Sequence, residues 1–207
     1  MSQRRHTRRA RRGYTLIETM MALAILISGA AAIMALHQAS THANMEAREL
    51  STATHIARTW IERLRRDSLS WVGQPGQPFS ATQLANTRYL SAVPDAGTAP
   101  VWFRPVPLAG TGESASFDFY GNDAPGGSTE TQLVHFCTDA RLEWLFVGQA
   151  MRADVRVWWA RHQRSTGGAD VPFADCSEVP AETADDLLRF HFVHASTLLH
   201  YTPPGAP

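Results

Sequence analysis

From Tyr14 to Leu36 the chain is almost continuously apolar, with 18 of 23 residues hydrophobic and only Thr15, Glu18, Thr19, Ser28 and Gly29 interrupting. At about 1.5 Å of rise per residue, such a helix is about 34 Å long, enough to cross a hydrocarbon core of about 30 Å with a slight tilt. Between Tyr14 and Gln74 there is no proline, and glycine occurs only at Gly29 and Gly73. Nothing in the sequence therefore breaks a helix of about 55 residues. Beyond Leu36 the pattern becomes amphipathic. Ala53, Ile56, Ala57, Trp60, Ile61 and Leu64 recur at helical spacing and predict one buried stripe. Arg58, Glu62 and Arg66 follow at four-residue steps on the opposite, solvated face, where pairing is worth a few tenths of a kcal/mol. The run Gly73-Gln74-Pro75-Gly76-Gln77-Pro78 is expected to end the helix.

The rest of the chain reads as β-rich. Alternating or aromatic runs at 101–104, 116–120, 132–137, 141–147, 154–159 and 188–194 predict strands. Leu142, Trp144 and Phe146 alternate with Glu143 and Leu145, and Val155, Val157 and Trp159 alternate with Arg156 and Trp158. A period of two assigns each set to one sheet face. The short gap between Cys137 and Arg141 predicts an antiparallel hairpin there. Gly- and Pro-rich stretches at 105–114, 121–128 and 165–174 read as loops, and residues 202–207 as a disordered tail. There is no internal repeat.

A length of 207 residues allows one compact domain with an appendage. The formal net charge is zero, which gives no reason to expect a nucleic-acid partner. The balance is uneven along the chain. All basic residues are Arg, six of them within the first 12 positions, so removing residues 1–13 leaves 13 Arg against 19 acidic residues. The basic start is held on the cytoplasmic side by the positive-inside rule. The apolar run excludes a purely cytosolic enzyme. Two cysteines, Cys137 and Cys176, are too few for a disulfide-dense scaffold or a four-cysteine zinc site. They suit either one bridge in an exported head or two separate buried thiols.

The informative stretch is Arg12-Gly13-Tyr14-Thr15-Leu16-Ile17-Glu18, directly before the apolar run. A carboxylate at the centre of a membrane helix costs about 2.5 to 3.5 kcal/mol on insertion scales, so Glu18 calls for a partner. Cleavage between Gly13 and Tyr14 would supply one, an α-amino group at the same depth. This segment resembles the class III signal of type IV pilins and type II secretion pseudopilins. In that family a prepilin peptidase cuts after Gly, the new N-terminus is methylated, and a Glu at the fifth mature position helps to dock subunits into a filament. The resemblance implies cleavage at Gly13 and Tyr14, N-methylation of Tyr14 and an assembly role for Glu18; Tyr14 departs from the usual Phe but is also aromatic. More weakly, TATHIARTWIERLR (52–65), VRVWW (155–159) and the late strand near 188–199 resemble the minor-pilin V and general secretion pathway protein I branch.

The implied fold is α+β and pilin-like: a leader over 1–13, a long helix over 14–72 with 14–36 transmembrane, and an antiparallel β-sheet head over 79–201. The implied partners are prepilin peptidase, other minor pilins or pseudopilins, the filament assembly machinery and inner-membrane lipid, with the head periplasmic. No cofactor and no metal is expected. A cleaved Sec or twin-arginine signal is the main competitor, since Arg11-Arg12-Gly13-Tyr14-Thr15-Leu16 partly imitates a twin-arginine signal and Ala30-Ala31-Ala32 offers a cleavage site. Against it, the apolar run passes Ala32, Glu18 interrupts it, and the helix continues amphipathically. An anchored enzyme is the third reading, but no Gly-x-Ser-x-Gly, His-Glu-x-x-His or Gly-Lys phosphate loop is present. His191 and His194, three apart on a strand, point to opposite faces and cannot share a metal without a bulge. Small residues Ala24, Ser28, Ala32, Ala35, Ala39 and Ala43 form a stripe that permits close helix approach, or reflect Ala's helix propensity.

Overall fold

The computed structural model describes residues 15–73, 78–106, 112–124, 134–161, 176 and 179–201. The chain divides into two compact units, residues 1–47 and 48–207. Helix α1, Leu16–Ser68, begins in the first and ends in the second. In the first unit every described residue is exposed, and no other described element packs on the apolar run.

The second unit holds the end of α1 and four strands: β1 (Ser116–Phe117), β2 (Phe136–Phe146), β3 (Ala150–Ala160) and β4 (Phe190–His200). They form one antiparallel sheet in the order β1-β2-β3-β4. The fold is therefore α+β, a long N-terminal apolar helix followed by an antiparallel four-stranded sheet, a pilin-like architecture.

The helical stripe is buried as its periodicity predicts: Ala53, Ile56, Ala57, Trp60 and Leu64 join Leu142, Met151, Ala153, Val155, Val157 and Trp159 in one core, with Ile61 partly buried. Each large apolar side chain wholly buried there contributes roughly 1.5 to 3 kcal/mol. On the opposite sheet face, Cys137, Trp158, Cys176 and Phe190 make a second, smaller cluster. Trp158 and Trp159, adjacent on β3, thus serve different cores, as period two requires. On the solvated side of α1 the observed ion pair is Glu62 with Arg65, at 2.7 Å, in place of the Arg58, Glu62 and Arg66 steps.

Several sequence-based boundaries are corrected. The runs 132–137 and 141–147 are not two strands of a hairpin; residues 136–146 form the single strand β2. Thr138, Asp139 and Ala140 pair in register with Val157, Arg156 and Val155 of β3, which keeps the chain extended through them. The hairpin lies one step later, at Val147-Gly148-Gln149, where Gly148 has φ +71° and the Gln149 N–H donates to the Phe146 carbonyl at 2.9 Å. A Cβ on Gly148 would lie 2.7 Å from Phe79 Cβ, so both conformation and space demand glycine. Among the described residues, 101–104 pair through one bridge, Phe103 with Ala140. The run 116–120 stops as a strand at Phe117, because the Asp118 carboxylate accepts the N–H groups of Tyr120 and Asn122 and folds the chain into a turn. Residues 188–194 begin as the end of helix α2, Ala184–Arg189, capped by Thr183 and Asp186, before β4 starts.

Helix α1 stops at Ser68, before the Gly and Pro run. Its last turn is held by the Asp67 carboxylate, which accepts the N–H groups of Arg88, Tyr89 and Leu90 at 2.6, 2.7 and 3.0 Å. Trp71 then folds back onto Trp144 and Tyr201. Residues 1–13 and 202–207 and the predicted loop 165–174 lie outside the described residues.

Candidate functional site

Helix α1 starts at Leu16, with Thr15 outside it. The Glu18 N–H donates to the Thr15 carbonyl at 3.1 Å and to Thr15 Oγ1 at 3.4 Å, and the Thr19 N–H donates to the same carbonyl at 3.3 Å. These bonds satisfy amides that a helix start otherwise leaves open. The hydroxyls within the apolar run are satisfied locally: Thr19 donates to the Leu16 carbonyl at 2.7 Å and Ser28 to the Ile25 carbonyl at 2.9 Å. A helix that solvates its own polar groups in this way suits lipid, where no water does it.

Around these groups the apolar side chains project outward; Leu16 is 81% exposed, Ile33 68% and Leu36 71%. The helix is long and apolar enough to cross a membrane. Glu18 is exposed in the first turn, where a negative charge complements the helix dipole. Gly13 and Tyr14 lie outside the described residues. The small-residue stripe from Ala24 to Ala43 is exposed, and no atom lies within 4 Å of where a Cβ on Gly29 would sit.

Residues 8–34 match the family model of the prokaryotic N-terminal methylation motif. The chain carries a type IV prepilin N-terminus. The match spans the end of the basic leader, the Gly13–Tyr14 bond, Glu18 and the apolar run as far as Met34. Neither the curated proteins nor the solved structures give a significant match. Prepilin-like families are structural, and a motif of this kind on an apolar helix points to single-pass membrane anchoring.

In the head unit, Cys137 and Cys176 are joined by a disulfide, their Cα atoms 5.7 Å apart. It lies beside Trp158 and Phe190 on the sheet face opposite α1. That face also carries cross-strand pairs of opposite charge, Asp139 with Arg156, Arg141 with Asp154 and Glu143 with Arg152. The first is wholly buried. Asp139 also accepts Trp158 Nε1 at 2.9 Å and an Arg104 nitrogen at 2.8 Å, while Arg156 reaches Glu182 at 2.8 Å. Trp102 lies under two guanidinium groups, Arg156 at 4.4 Å and Arg141 at 4.7 Å from its ring centre. Burial pushes the Asp154 carboxyl up, but hydrogen bonds from Ser196, Arg141 and Arg152 outweigh it and hold the group below the usual carboxylate range. Burial, then the hydrogen bond to Glu113, pushes the Tyr89 phenol up to about 12.

His191 stacks on Trp159 toward the α1 face, whereas His194 lies 3.6 Å from Glu182 and against Trp102 on the other face. Among the described residues no group of three or more His, Cys, Asp or Glu could hold a metal. Sequence reasoning passed over Thr15 and Asp139. The Thr15-Leu16-Ile17-Glu18 spacing of a capping box was a legible signal for the first; the alternation of β2 and β3 gave none for the burial of the second.

Proposed function

We propose that the chain is a minor type IV pilin or a type II secretion pseudopilin, a structural subunit that helps to initiate, cap or assemble a filament. The observation that carries this reading is the coincidence of the methylation motif over 8–34 with a helix start whose apolar face has no protein partner among the described residues. Prepilin peptidase cuts between Gly13 and Tyr14 at the cytoplasmic face of the inner membrane, and the new Tyr14 amine is methylated. The mature helix stays in the membrane until assembly, then exchanges lipid for the helices of other pilins or pseudopilins, while the periplasmic head makes lateral or tip contacts.

Glu18 bears on that exchange. A carboxylate in lipid is costly, and the Tyr14 α-ammonium of a neighbouring subunit is a partner at matching depth. The resemblance of residues 52–65 and 155–159 to the minor-pilin V and secretion protein I branch supports a minor rather than a major subunit. Intact-mass and N-terminal analysis of the membrane-purified protein tests the reading. A mature chain beginning at methylated Tyr14 is expected; an N-terminus near Ile33 would instead mark a cleaved export signal.

A further inference from the structure

We propose that the outer edge of β4 takes up an extended segment of another subunit of the filament, as a fifth strand of the sheet. The inference rests on the prepilin reading above. β3 and β4 pair without a register shift, from Ala150 with His200 to Ala160 with Phe190. Their ladder continues where the Arg161 N–H donates to the Arg189 carbonyl and the Tyr201 N–H to the Gln149 carbonyl, so the odd-numbered residues of β4 bond to β3. The N–H and C=O groups of Phe192, His194, Ser196, Leu198 and His200 therefore point outward. β4 is the last strand of the sheet, and among the described residues no backbone group pairs with them.

Edge strands ordinarily carry a device against such pairing: a charge, a proline, a bulge or a short length. β4 has none of these. It is 11 residues long, without Asp, Glu, Lys, Arg, Pro or Gly, whereas β2 and β3 carry three charged residues each. The core is also open on this side. Ile61 of α1 and Val193 and Ala195 of β4 are only partly buried, on the sheet face that an added strand extends. Alternate apolar side chains of an incoming segment cover them, while its backbone satisfies the outward groups of β4.

Two stretches of this chain adjoin β4 beyond the described residues, and neither suits the edge. Residues 162–175 join Arg161 to Cys176, both placed at the Phe190 end. Fully extended they span at most about 50 Å, short of the roughly 68 Å needed to reach His200 and return. Residues 202–207 hold three prolines, which have no N–H to donate to a ladder. A second copy is excluded by direction. Antiparallel pairing of β4 with β4 puts a two-fold axis normal to the sheet, so α1, packed on one face, is reversed in the partner. Copies anchored in one membrane enter it from the same side. The occupant is therefore a segment of a different subunit, apolar at the alternate positions that meet Ile61, Val193 and Ala195.

The test uses the full-length protein in its native cells, with the photo-crosslinking residue p-benzoylphenylalanine at Leu198 or at His200 and mass spectrometry of the crosslinked products. Both positions should crosslink to one partner that carries its own prepilin N-terminus, at sites two residues apart, because paired strands keep a period of two. Leu198 is 55% exposed, so Leu198→Pro removes an outward N–H and leaves the β3 ladder in place, whereas Leu198→Ala keeps that N–H. With the crosslinker at His200, yield should fall about fivefold in Leu198→Pro, from the loss of one hydrogen bond, and hold in Leu198→Ala. An unchanged urea midpoint shows that Leu198→Pro keeps its fold; where the midpoint drops, the spacing of the crosslinks decides alone. Crosslinks to a second copy, within this chain or to nothing, sites without the two-residue spacing, or full yield in a folded Leu198→Pro overturns the proposal. The N-terminus of the same material reports on the prepilin reading separately. An N-terminus near Ile33 removes that reading and the subunit partner with it, whereas paired crosslinks to a chain without the motif, on protein processed at Tyr14, overturn the proposal and leave the reading intact.

Discussion

Asp139 on β2 and Arg156 on β3 face each other across the sheet with both side chains wholly buried, and Arg156 Nε and Nη2 donate to one Asp139 oxygen at 3.1 Å each. Taking two charges out of water is costly, and the pair tolerates it because Trp158, Arg104 and Glu182 complete the hydrogen bonding. The network fastens residues 102–104 and 182 to the sheet face opposite α1.

Asp139→Ala leaves the Arg156 charge buried and short of its partner, so it should destabilise the protein by about 3 to 5 kcal/mol. Replacing both residues by apolar ones of similar volume should cost much less than either single change. Urea unfolding of the detergent-solubilised protein, followed by tryptophan fluorescence, measures all three. Equal destabilisation of the double and single variants would remove the pair from the account.

Asp154 predicts an acid-side pH dependence. Its carboxyl is held below its unfolded value by Ser196, Arg141 and Arg152, against the opposing effect of burial. Its contribution is therefore present above the unfolded pKa of about 3.9 and disappears as pH falls through the lower folded pKa. Asp154→Asn should lower the unfolding midpoint at pH 7 and make little difference at pH 2. A difference between the two proteins that does not change with pH would contradict this.

The bridge between Cys137 and Cys176 closes a loop of 39 residues. In the chain-entropy model such a loop contributes about 3 to 4 kcal/mol. Alkylation of the denatured, unreduced protein should label no thiol, and Cys137→Ser with Cys176→Ser should unfold at lower urea. Two labelled thiols in the purified protein would count against the bridge.

Glu18→Ala removes a charge from the apolar run, so membrane insertion should become easier. The variant should still be processed and remain in the inner membrane, yet be depleted from sheared filaments or crosslinked tip complexes. Normal recovery in filaments would show that the carboxylate is not an assembly determinant.

The methylation motif and the buried stripe of α1 were legible because their information is local. Residues 8–34, which match the methylation motif, are contiguous, and the buried stripe from Ala53 to Leu64 repeats with the period of one helix, so no distant residue is needed to read either. In β2 and β3 the alternation put Leu142 on one face of its strand and Val155, Val157 and Trp159 together on one face of theirs; the pairing register joins the two faces in the core with α1. It could not say what covers the other face. Arg156 lies on that face and is wholly buried, reached by Trp102 and Glu182 from distant parts of the chain. The fusion of residues 136–146 into one strand was likewise decided by pairing with all of β3, which outweighs any local preference for a turn near Ala140. Periodicity assigns a side chain to a face; only the tertiary structure determines whether that face meets water or protein, because the covering groups are remote in sequence.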